Sequence, residues 1–229
     1  MLQLEKVRVE LGTFTLSLDL TVPKGARVAL MGVSGSGKST LLSALAGFLL
    51  PDAGRIIMAG EDVTAAPVAQ RPVSILFQDG NLFPHLSVFD NIALGIAPNL
   101  RLDAADEARV MESLRKVDLD GMDERMPAAL SGGQQSRVAL ARMLLRDKPV
   151  ALLDEPFSAL DPALRREMLE LMRTLCEETG QTLFMATHDL RDAEHLCDRI
   201  LLLEDGKVVL DAELSTAIAE RTPVLRPWM

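Results

Sequence analysis

The stretch that decides the fold is residues 26–46, ARVALMGVSGSGKSTLLSALA. The apolar run Ala26–Met31 precedes Gly32–Ser39, which has the spacing Gly-x-x-x-x-Gly-Lys-Ser, and an apolar helical segment follows. This order of strand, glycine-rich loop and helix predicts a P-loop, where backbone N–H groups and the positive helix end hold a phosphate. The alternative is a plain glycine turn before a helix. The bare pattern occurs by chance in roughly one chain of this length per hundred, and the flanking elements make chance rarer.

A P-loop assigns a role to each of its residues. Lys38 is expected to bridge the β- and γ-phosphates of a nucleotide, and Ser39 is expected to ligate Mg²⁺. The residues predicted to bind the nucleotide are Gly32, Val33, Ser34, Gly35, Ser36, Gly37, Lys38, Ser39 and Thr40.

A pair of acids ends a second apolar run. Val150–Leu153 stops abruptly at Asp154-Glu155. In phosphoryl transfer an acidic residue at such a position holds the Mg²⁺ sphere, and another polar group orients the attacking water. Asp154 is therefore the predicted metal residue and Glu155 the predicted general base. The alternative is a strand end that simply meets solvent.

Apolar runs alternate with amphipathic stretches along the chain, which indicates βαβ units and an α/β fold with a mainly parallel core sheet. A final hairpin is predicted at Asp205-Gly206, because Asp-Gly between apolar runs favours a tight turn. Residues from about 87 to 146 are instead rich in helix-start signals, including Ser87 and Asp103. We predict one domain over 1–229, with a core of about 1–86 and 147–229 and an inserted helical subdomain of about 87–146. The predicted strands are Ala26–Met31, Val73–Leu76, Val150–Leu153, Thr182–Ala186, Arg199–Leu203 and Val208–Leu210.

Composition limits the functional classes. The 229 residues carry a net charge of −9, which disfavours a nucleic-acid-binding protein because such domains need a basic surface. The longest strongly apolar stretch, Leu41–Leu50, is shorter than the roughly 20 residues of a spanning helix. The N-terminus lacks a secretory signal, so a cytoplasmic location is expected. Cys176 and Cys197 are read as small apolar helix residues.

A second glycine-led helix begins at Leu130-Ser131-Gly132-Gly133-Gln134. Ser131 and Gln134 predict a capping box, which is a sufficient structural reason for both. However, adjacent glycines are costly to order and leave N–H groups open to an anion. One chain thus carries two candidate phosphate sites.

These motifs resemble those of the ABC ATPase family, and the resemblance covers essentially the whole chain. Leu-Ser-Gly-Gly-Gln is the signature of that family among P-loop enzymes. The motifs occur in the family's order: the P-loop Gly32–Ser39, the Q-loop glutamine Gln78, the signature Leu130–Gln134, Leu153-Asp154-Glu155, the D-loop Ser158–Asp161 and the switch histidine His188.

The resemblance implies ATP and Mg²⁺ as cofactors, a P-loop NTPase fold with an antiparallel β portion near the N-terminus, and a head-to-tail dimer with a second copy or another ABC ATPase. It implies transmembrane permease subunits and, for an importer, a solute-binding protein, so that the chain lies peripherally on the inner face of the membrane. The catalytic residues it implies are Glu155, His188 and Gln78, with Gln78 also near the metal. In the dimer it implies that Ser131, Gly133, Gln134 and Asp161 contact the nucleotide of the opposite chain.

Each later motif also has a structural alternative. Asp161 before Pro162 is typical of a helix N-cap with proline at the first helical position. His188 suits a capping or core histidine, and Gln78 suits an ordinary loop amide. The apolar residues around Gln78 either pack the helical insert against the core or, as the resemblance implies, line in part a groove for the permease; they are Phe77, Leu82, Phe83, Pro84 and Leu86.

Within the family, the sequence of residues 72–86 and 154–165 most resembles that of small bacterial importer ATPases of the thiamine type. ABC ATPases of export, lipoprotein release or cell division remain alternatives, and another P-loop kinase or NTPase is a more distant one. The chain departs from the family at the base-stacking aromatic, because it has no tyrosine. Phe14 or Leu11 is expected to take that place. The transported compound is not readable from this chain.

Overall fold

The computed structural model describes residues 1–77 and 81–228. All six predicted strands are present, together with four strands within residues 2–62 whose bounds the sequence did not predict. The predicted strand starting at Ala26 begins one residue later, and the final strand is longer than Val208–Leu210. The strands are β1 (Leu2–Leu11), β2 (Phe14–Val22), β3 (Arg27–Met31), β4 (Ala53–Met58), β5 (Glu61–Asp62), β6 (Val73–Leu76), β7 (Val150–Asp154), β8 (Thr182–Ala186), β9 (Arg199–Glu204) and β10 (Lys207–Glu213).

The α-helices occupy the stretches where the sequence shows cap residues and helical spacing. Across residues 1–77 and 81–228, none of them has both the length and the apolar character needed to span a bilayer. Short 3₁₀ turns occur at Val68–Gln70, Pro127–Ala129 and Pro223–Trp228. The helices are α1 (Lys38–Ala46), α2 (Val88–Ala93), α3 (Ala104–Lys116), α4 (Gly132–Leu145), α5 (Pro162–Thr179), α6 (Leu190–Leu196) and α7 (Leu214–Ala219).

Two sheets form the framework. The six-stranded sheet has the order β10-β9-β3-β8-β7-β6, and all its pairings are parallel except β9 with β10. The four-stranded sheet has the order β2-β1-β4-β5 and is antiparallel. The predicted parallel core and N-terminal antiparallel portion are therefore confirmed. All five residues of β8 are buried, as expected of a parallel strand covered on both faces.

The register at Ala186 brings three strand ends together. Ala186, the last residue of β8, pairs with Leu30 of β3 on one side and with Asp154 of β7 on the other. The next backbone groups continue this alignment, since Thr187 N–H donates to Leu30 O at 3.2 Å and Glu155 N–H donates to Ala186 O at 3.1 Å. The P-loop, the acidic pair and the switch histidine therefore start from one edge of the sheet.

Alternating side chains of the central strands enter two separate hydrophobic cores. Leu183 and Met185 of β8 belong to the core that includes α4, α5 and α6, whereas Phe184 and Ala186 belong to the core formed with α1 and the antiparallel sheet. Because successive strand residues point to opposite faces, these cores lie on opposite faces of the six-stranded sheet. The loops at its carboxyl edge are thus held from both sides.

The helices α2, α3 and α4 share a third hydrophobic cluster, which includes Val110, Leu114 and Val117. The predicted helix starts are confirmed. Ser87 accepts a hydrogen bond from Asp90 N–H, and Asp103 accepts from the two N–H groups of Ala105 and Asp106. The proposed division into a core and a subdomain remains a prediction.

Asn91 anchors the segment that leads from the core into these helices. Its side chain is fully buried. Its Oδ1 accepts from Phe83 N–H at 2.8 Å, and its Nδ2 donates to the carbonyl oxygens of Phe83, Leu86 and Ser87 at 2.9–3.1 Å. One amide thereby satisfies several backbone groups that have little access to water.

We expect Asn91→Ala to lower the free energy of unfolding by about 2–4 kcal/mol, because it leaves several buried backbone groups without partners. Urea unfolding followed by circular dichroism measures this. Asn99→Ala is the matched control, because exposed Asn99 only accepts one local bond from Arg101 N–H. Equal stability of the two variants would contradict the anchoring role.

Candidate functional site

An open cleft of about 770 Å³ lies at the carboxyl edge of the six-stranded sheet. The P-loop between β3 and α1 forms its floor, and Glu155 and His188 reach it from the ends of β7 and β8. Ser36 is buried, with 2% of its surface exposed, and lies behind the lining. The described residues that line the cleft are Leu11, Phe14, Gly32, Val33, Ser34, Gly35, Gly37, Lys38, Ser39, Thr40, Glu155, His188 and Trp228.

Lys38 is the cation of the cleft floor. It opens α1, and its Nζ donates to the carbonyl oxygens of Gly32 at 2.7 Å and Val33 at 3.0 Å. Burial lowers the pKa of Lys38, and the nearby carboxylates of Glu155 and Asp154 oppose that shift. A phosphate at this floor would meet a positive charge together with the N-terminus of a helix.

Asp154 and Ser39 provide oxygen atoms side by side. The Ser39 hydroxyl is hydrogen-bonded to the Asp154 carboxylate. Burial, helped by the neighbouring Glu155 carboxylate, raises the pKa of Asp154, and this hydrogen bond opposes the rise without cancelling it. A carboxylate next to a hydroxyl is a donor set that Mg²⁺ accepts. Within residues 1–77 and 81–228, no three His, Cys, Asp or Glu side chains converge to cage a metal. A Mg²⁺ ion held by this pair would take its other ligands from water or from phosphate oxygens.

Glu155 has an unusual backbone for a non-glycine residue, with φ at 46°. Residues in this left-handed region carry strain of order 1–3 kcal/mol and cluster at functional sites. Hydrogen bonds hold the turn, since the Glu155 carbonyl accepts from the Ser158 N–H at 3.3 Å and its hydroxyl at 3.0 Å. The Glu155 Oε2 lies 3.3 Å from His188 Nδ1. The predicted base and the predicted switch histidine are thus neighbours.

The helices behind this pair are joined by an ion pair. Arg165 of α5 donates to the buried carboxylate of Asp192 on α6, and burial is the main cause that raises the pKa of Asp192. Asp161 caps α5 by accepting from Ala163 N–H and Leu164 N–H, both at 3.1 Å, which confirms its predicted N-cap role. Asp161 does not line the cleft.

The signature residues lie outside the cleft of their own chain. Ser131 and Gln134 form the predicted capping box, with Gln134 N–H donating to Ser131 Oγ and Ser131 N–H donating to Gln134 Oε1 at 2.9 Å. Gly133 packs closely on α5, because a Cβ there would lie 2.4 Å from the Leu164 side chain, which would have to shift. None of Ser131, Gly133 and Gln134 appears among the described residues lining the cleft.

Phe14 and Leu11, the predicted substitutes for a base-stacking tyrosine, both line the cleft. The Phe14 ring lies against Gly37 at the start of α1. This approach depends on the β9–β10 hairpin, because Gly206 N–H donates to Ser36 O at 3.1 Å and Gly206 O accepts from Ser17 N–H at 2.8 Å. A side chain on Gly206 would collide with Thr15 O.

Two residues stand apart from the sequence prediction. Gln78, predicted to act in catalysis and near the metal, lies outside the described residues. Trp228 lines the cleft although no motif drew attention to it. It lies 40 residues after His188 in an irregular segment, and only the tertiary fold brings the two together.

The cleft therefore combines a phosphate-binding loop, a lysine and an acid–histidine pair at the carboxyl edge of the six-stranded sheet. Asp154 is not among the described lining residues but is hydrogen-bonded to Ser39, which is one of them. These features define a P-loop nucleoside triphosphatase. Residues 16–158 match the family model described as ABC transporter, and full-length relatives share the family. The chain belongs to the ABC transporter family, as one of its ATPase components.

One curated relative is the thiamine import ATP-binding protein ThiQ of Jannaschia sp. (strain CCS1), which is 75% identical over 100% of both chains. A solved structure of the ATP-binding cassette MJ0796, a dimer in a post-hydrolysis state bound to ADP and Pi, superposes with a TM-score of 0.78 at 31% identity and covers 93% of this chain and 99% of that one. The structure of cbiO1 from Clostridium perfringens, part of the ABC transporter complex cbiONQ, gives a TM-score of 0.87 at 29% identity over 99% and 93% of the two chains.

The half-buried carboxylate of Asp154 is expected to have a measurable effect on stability. Because its pKa is raised in the folded state, folding disfavours the charged form, and stability is lost as the pH rises from the ordinary value of about 3.9 through the raised one. We expect Asp154→Asn to raise the Tm of the nucleotide-free protein at pH 7.5. The gain should shrink as the pH falls toward 4. Exposed Asp120→Asn is the control, and an Asp154→Asn protein less stable than wild type at pH 7.5 would contradict this reading.

Proposed function

We propose that this chain is the Mg-ATP-hydrolysing subunit of a bacterial thiamine importer, working as a head-to-tail dimer bound to transmembrane permease subunits. The observation that carries the proposal is the convergence of Lys38, Glu155 and His188 on one cleft, in a chain 75% identical over its full length to a protein named for thiamine import. A solute-binding protein would deliver the compound, and the chain would lie on the cytoplasmic face of the membrane.

Each residue has a step in the proposed hydrolysis. Lys38 binds the β- and γ-phosphates, and Ser39 and Asp154 would hold Mg²⁺, which would neutralise charge on the phosphate oxygens when bound. Glu155 accepts a proton from the attacking water, because its carboxylate stands at the cleft edge with 33% of its side chain exposed. His188, whose Nδ1 lies 3.3 Å from Glu155 Oε2, orients that carboxylate and contacts the γ-phosphate. Gln78 keeps its proposed place beside the metal and the water.

Dimerisation accounts for the second phosphate-binding element. Ser131 and Gly133 start α4 on a surface away from the cleft of their own chain, and the exposed Gly132 leaves space beside the helix N-terminus. In the proposed dimer this helix start covers the ATP on the opposite P-loop. Gln134 maintains the helix cap, and Asp161 contacts the same ATP. A solved relative that is a dimer supports this arrangement.

We expect Glu155→Gln to lower ATP turnover by about 10²–10⁴-fold while ATP still binds, because the amide keeps the shape of the side chain but not its basicity. The blocked protein should form a dimer with Mg-ATP that dissociates when the nucleotide is removed. Phosphate release, calorimetry and light scattering measure the three quantities.

Adding Ser131→Arg should prevent that dimer, because it places bulk and charge where the opposite γ-phosphate would lie. Ser131→Ala is the matched control: it removes only the helix cap, at a cost of about 0.5–2 kcal/mol. If both double variants dimerise alike, the signature helix does not cover the nucleotide.

An apolar groove of about 490 Å³ is the proposed binding surface for the permease. It lies between the end of α1, β6 and the helices α2 and α4, and its exposed large apolar side chains are Phe48, Val68, Phe77 and Phe83. Exposed apolar patches of this kind mark interaction sites. The Phe48 and Phe77 rings lie 6.3 Å apart, and Arg142 lies 5.8 Å from the Phe83 ring. The groove is lined by residues that follow α1 or lie in β6, on the side of the core, and by residues that follow α2 or lie in α4, on the side of the helical insert. A permease helix seated there would therefore move when the insert moves relative to the core.

Leu82 is not part of this surface. It packs against two hydrophobic clusters, that of the parallel sheet and that of the helices α2–α4, so the core-packing alternative applies to it. Leu86 is half-buried and likewise absent from the groove lining. The neighbouring Phe83, with 44% of its surface exposed, is the better test residue.

We expect Phe83→Asp to abolish co-purification with the permease and thiamine uptake in cells lacking the native gene, while ATP affinity and Tm change little. Val209→Asp is the matched control, because Val209 is 42% exposed on β10 and lies outside the groove. Uptake of labelled thiamine measures the outcome. Normal uptake by cells carrying Phe83→Asp would place the docking surface elsewhere. Because Glu155→Gln blocks ATP turnover, unchanged thiamine uptake by cells carrying that variant would refute the role of this chain in thiamine import.

A further inference from the structure

Trp228 is the single tryptophan of the chain, and it lies in the cleft rather than on a free tail. The 3₁₀ turn Pro223–Trp228 is anchored by Leu225, which is fully buried in the same hydrophobic cluster as α6 and α7. Trp228 is half-buried and packs on that cluster from its edge. The anchored turn therefore fixes the position at which the indole reaches the cleft.

The two large aromatic residues of the cleft approach it from opposite faces of the sheet. Phe14 packs with the cluster of α1 and the antiparallel strands, whereas Trp228 packs with the cluster of α5 and α6. The P-loop, Glu155 and His188 line the same cleft as these two aromatic residues. A molecule held by the phosphate loop would thus have an aromatic wall on either side.

The indole has unused binding capacity. Among residues 1–77 and 81–228, Trp228 makes no hydrogen bond through its ring N–H. A buried or half-buried indole N–H ordinarily finds a partner, and its π-face binds a nucleobase with an energy that is insensitive to base identity. The chain also lacks tyrosine, so it has few other aromatic groups to offer a nucleotide.

We propose that Trp228 is a further nucleotide-contact residue, which forms the wall of the ATP site opposite Phe14 and packs its indole against the bound nucleotide. This inference rests on the proposed ATP site. It gives the C-terminal segment a role in substrate binding that none of the P-loop, signature or switch motifs supplies.

The single tryptophan makes the contact observable without mutation. Wild-type protein is titrated with Mg-ADP at a concentration where light scattering shows a monomer, so that dimerisation does not contribute. We expect a saturable change in tryptophan emission whose midpoint matches the Kd measured by calorimetry. The same titration with Lys38→Ala should shift both midpoints together.

A variant set then separates contact from packing. Trp228→Leu keeps an apolar side chain on the cluster but removes the aromatic face and the N–H, and we expect it to weaken ADP binding by about fivefold or more. Trp228→Phe should recover most of that loss. Val224→Ala, on the same turn but outside the cleft, should bind as wild type does, and thermal melts confirm that each variant is folded.

An unchanged emission while calorimetry shows saturation overturns the proposal, and so does a Trp228→Leu protein with wild-type affinity. Either result would make Trp228 a packing residue while leaving the ATP site intact. Calorimetry that shows no nucleotide binding to the wild-type protein would instead refute the ATP site, and the contact with it.

Discussion

The register at which β8 joins β3 to β7 is the constraint on which the site depends. Ala186 pairs with Leu30 and Asp154 at once, so the phosphate loop, the acidic pair and the histidine emerge at one level. A shift of one residue in a strand exchanges the faces of all its side chains. Such a shift would send Phe184 and Met185 into the wrong cores, and the burial of both cores therefore keeps Glu155 and His188 in register with the phosphate loop.

Much of the framework was predictable because its signals are local. A P-loop needs only its own spacing and its flanking strand and helix, and Asp-Gly at 205–206 determines a hairpin within four residues. The caps Ser87, Asp103 and Asp161 follow equally short rules and are confirmed. Parallel strands such as β8 are recognisable because burial on both faces requires continuous apolar sequence.

The features that sequence did not indicate depend on residues far apart in the chain. The left-handed backbone of Glu155 results from its position between the end of β7 and the turn held by Ser158. The 3.3 Å approach of Glu155 to His188 and the position of Trp228 in the cleft arise only from the tertiary fold. Leu82 packs against two hydrophobic clusters formed by residues distant in the chain. Its local sequence could not distinguish this packing from a position on an exposed groove.

The β9–β10 turn links the phosphate loop to the antiparallel sheet. Gly206 bonds to Ser36 on one side and to Ser17 on the other, and its Cα leaves no space for a side chain beside Thr15. These contacts are all made by backbone atoms, so they fix glycine at position 206 but leave the side chains at positions 15, 17 and 36 free to vary. The cleft wall beside Phe14 can therefore change by substitutions in β2 alone, while a single glycine nearly two hundred residues later keeps the phosphate loop tied to that strand.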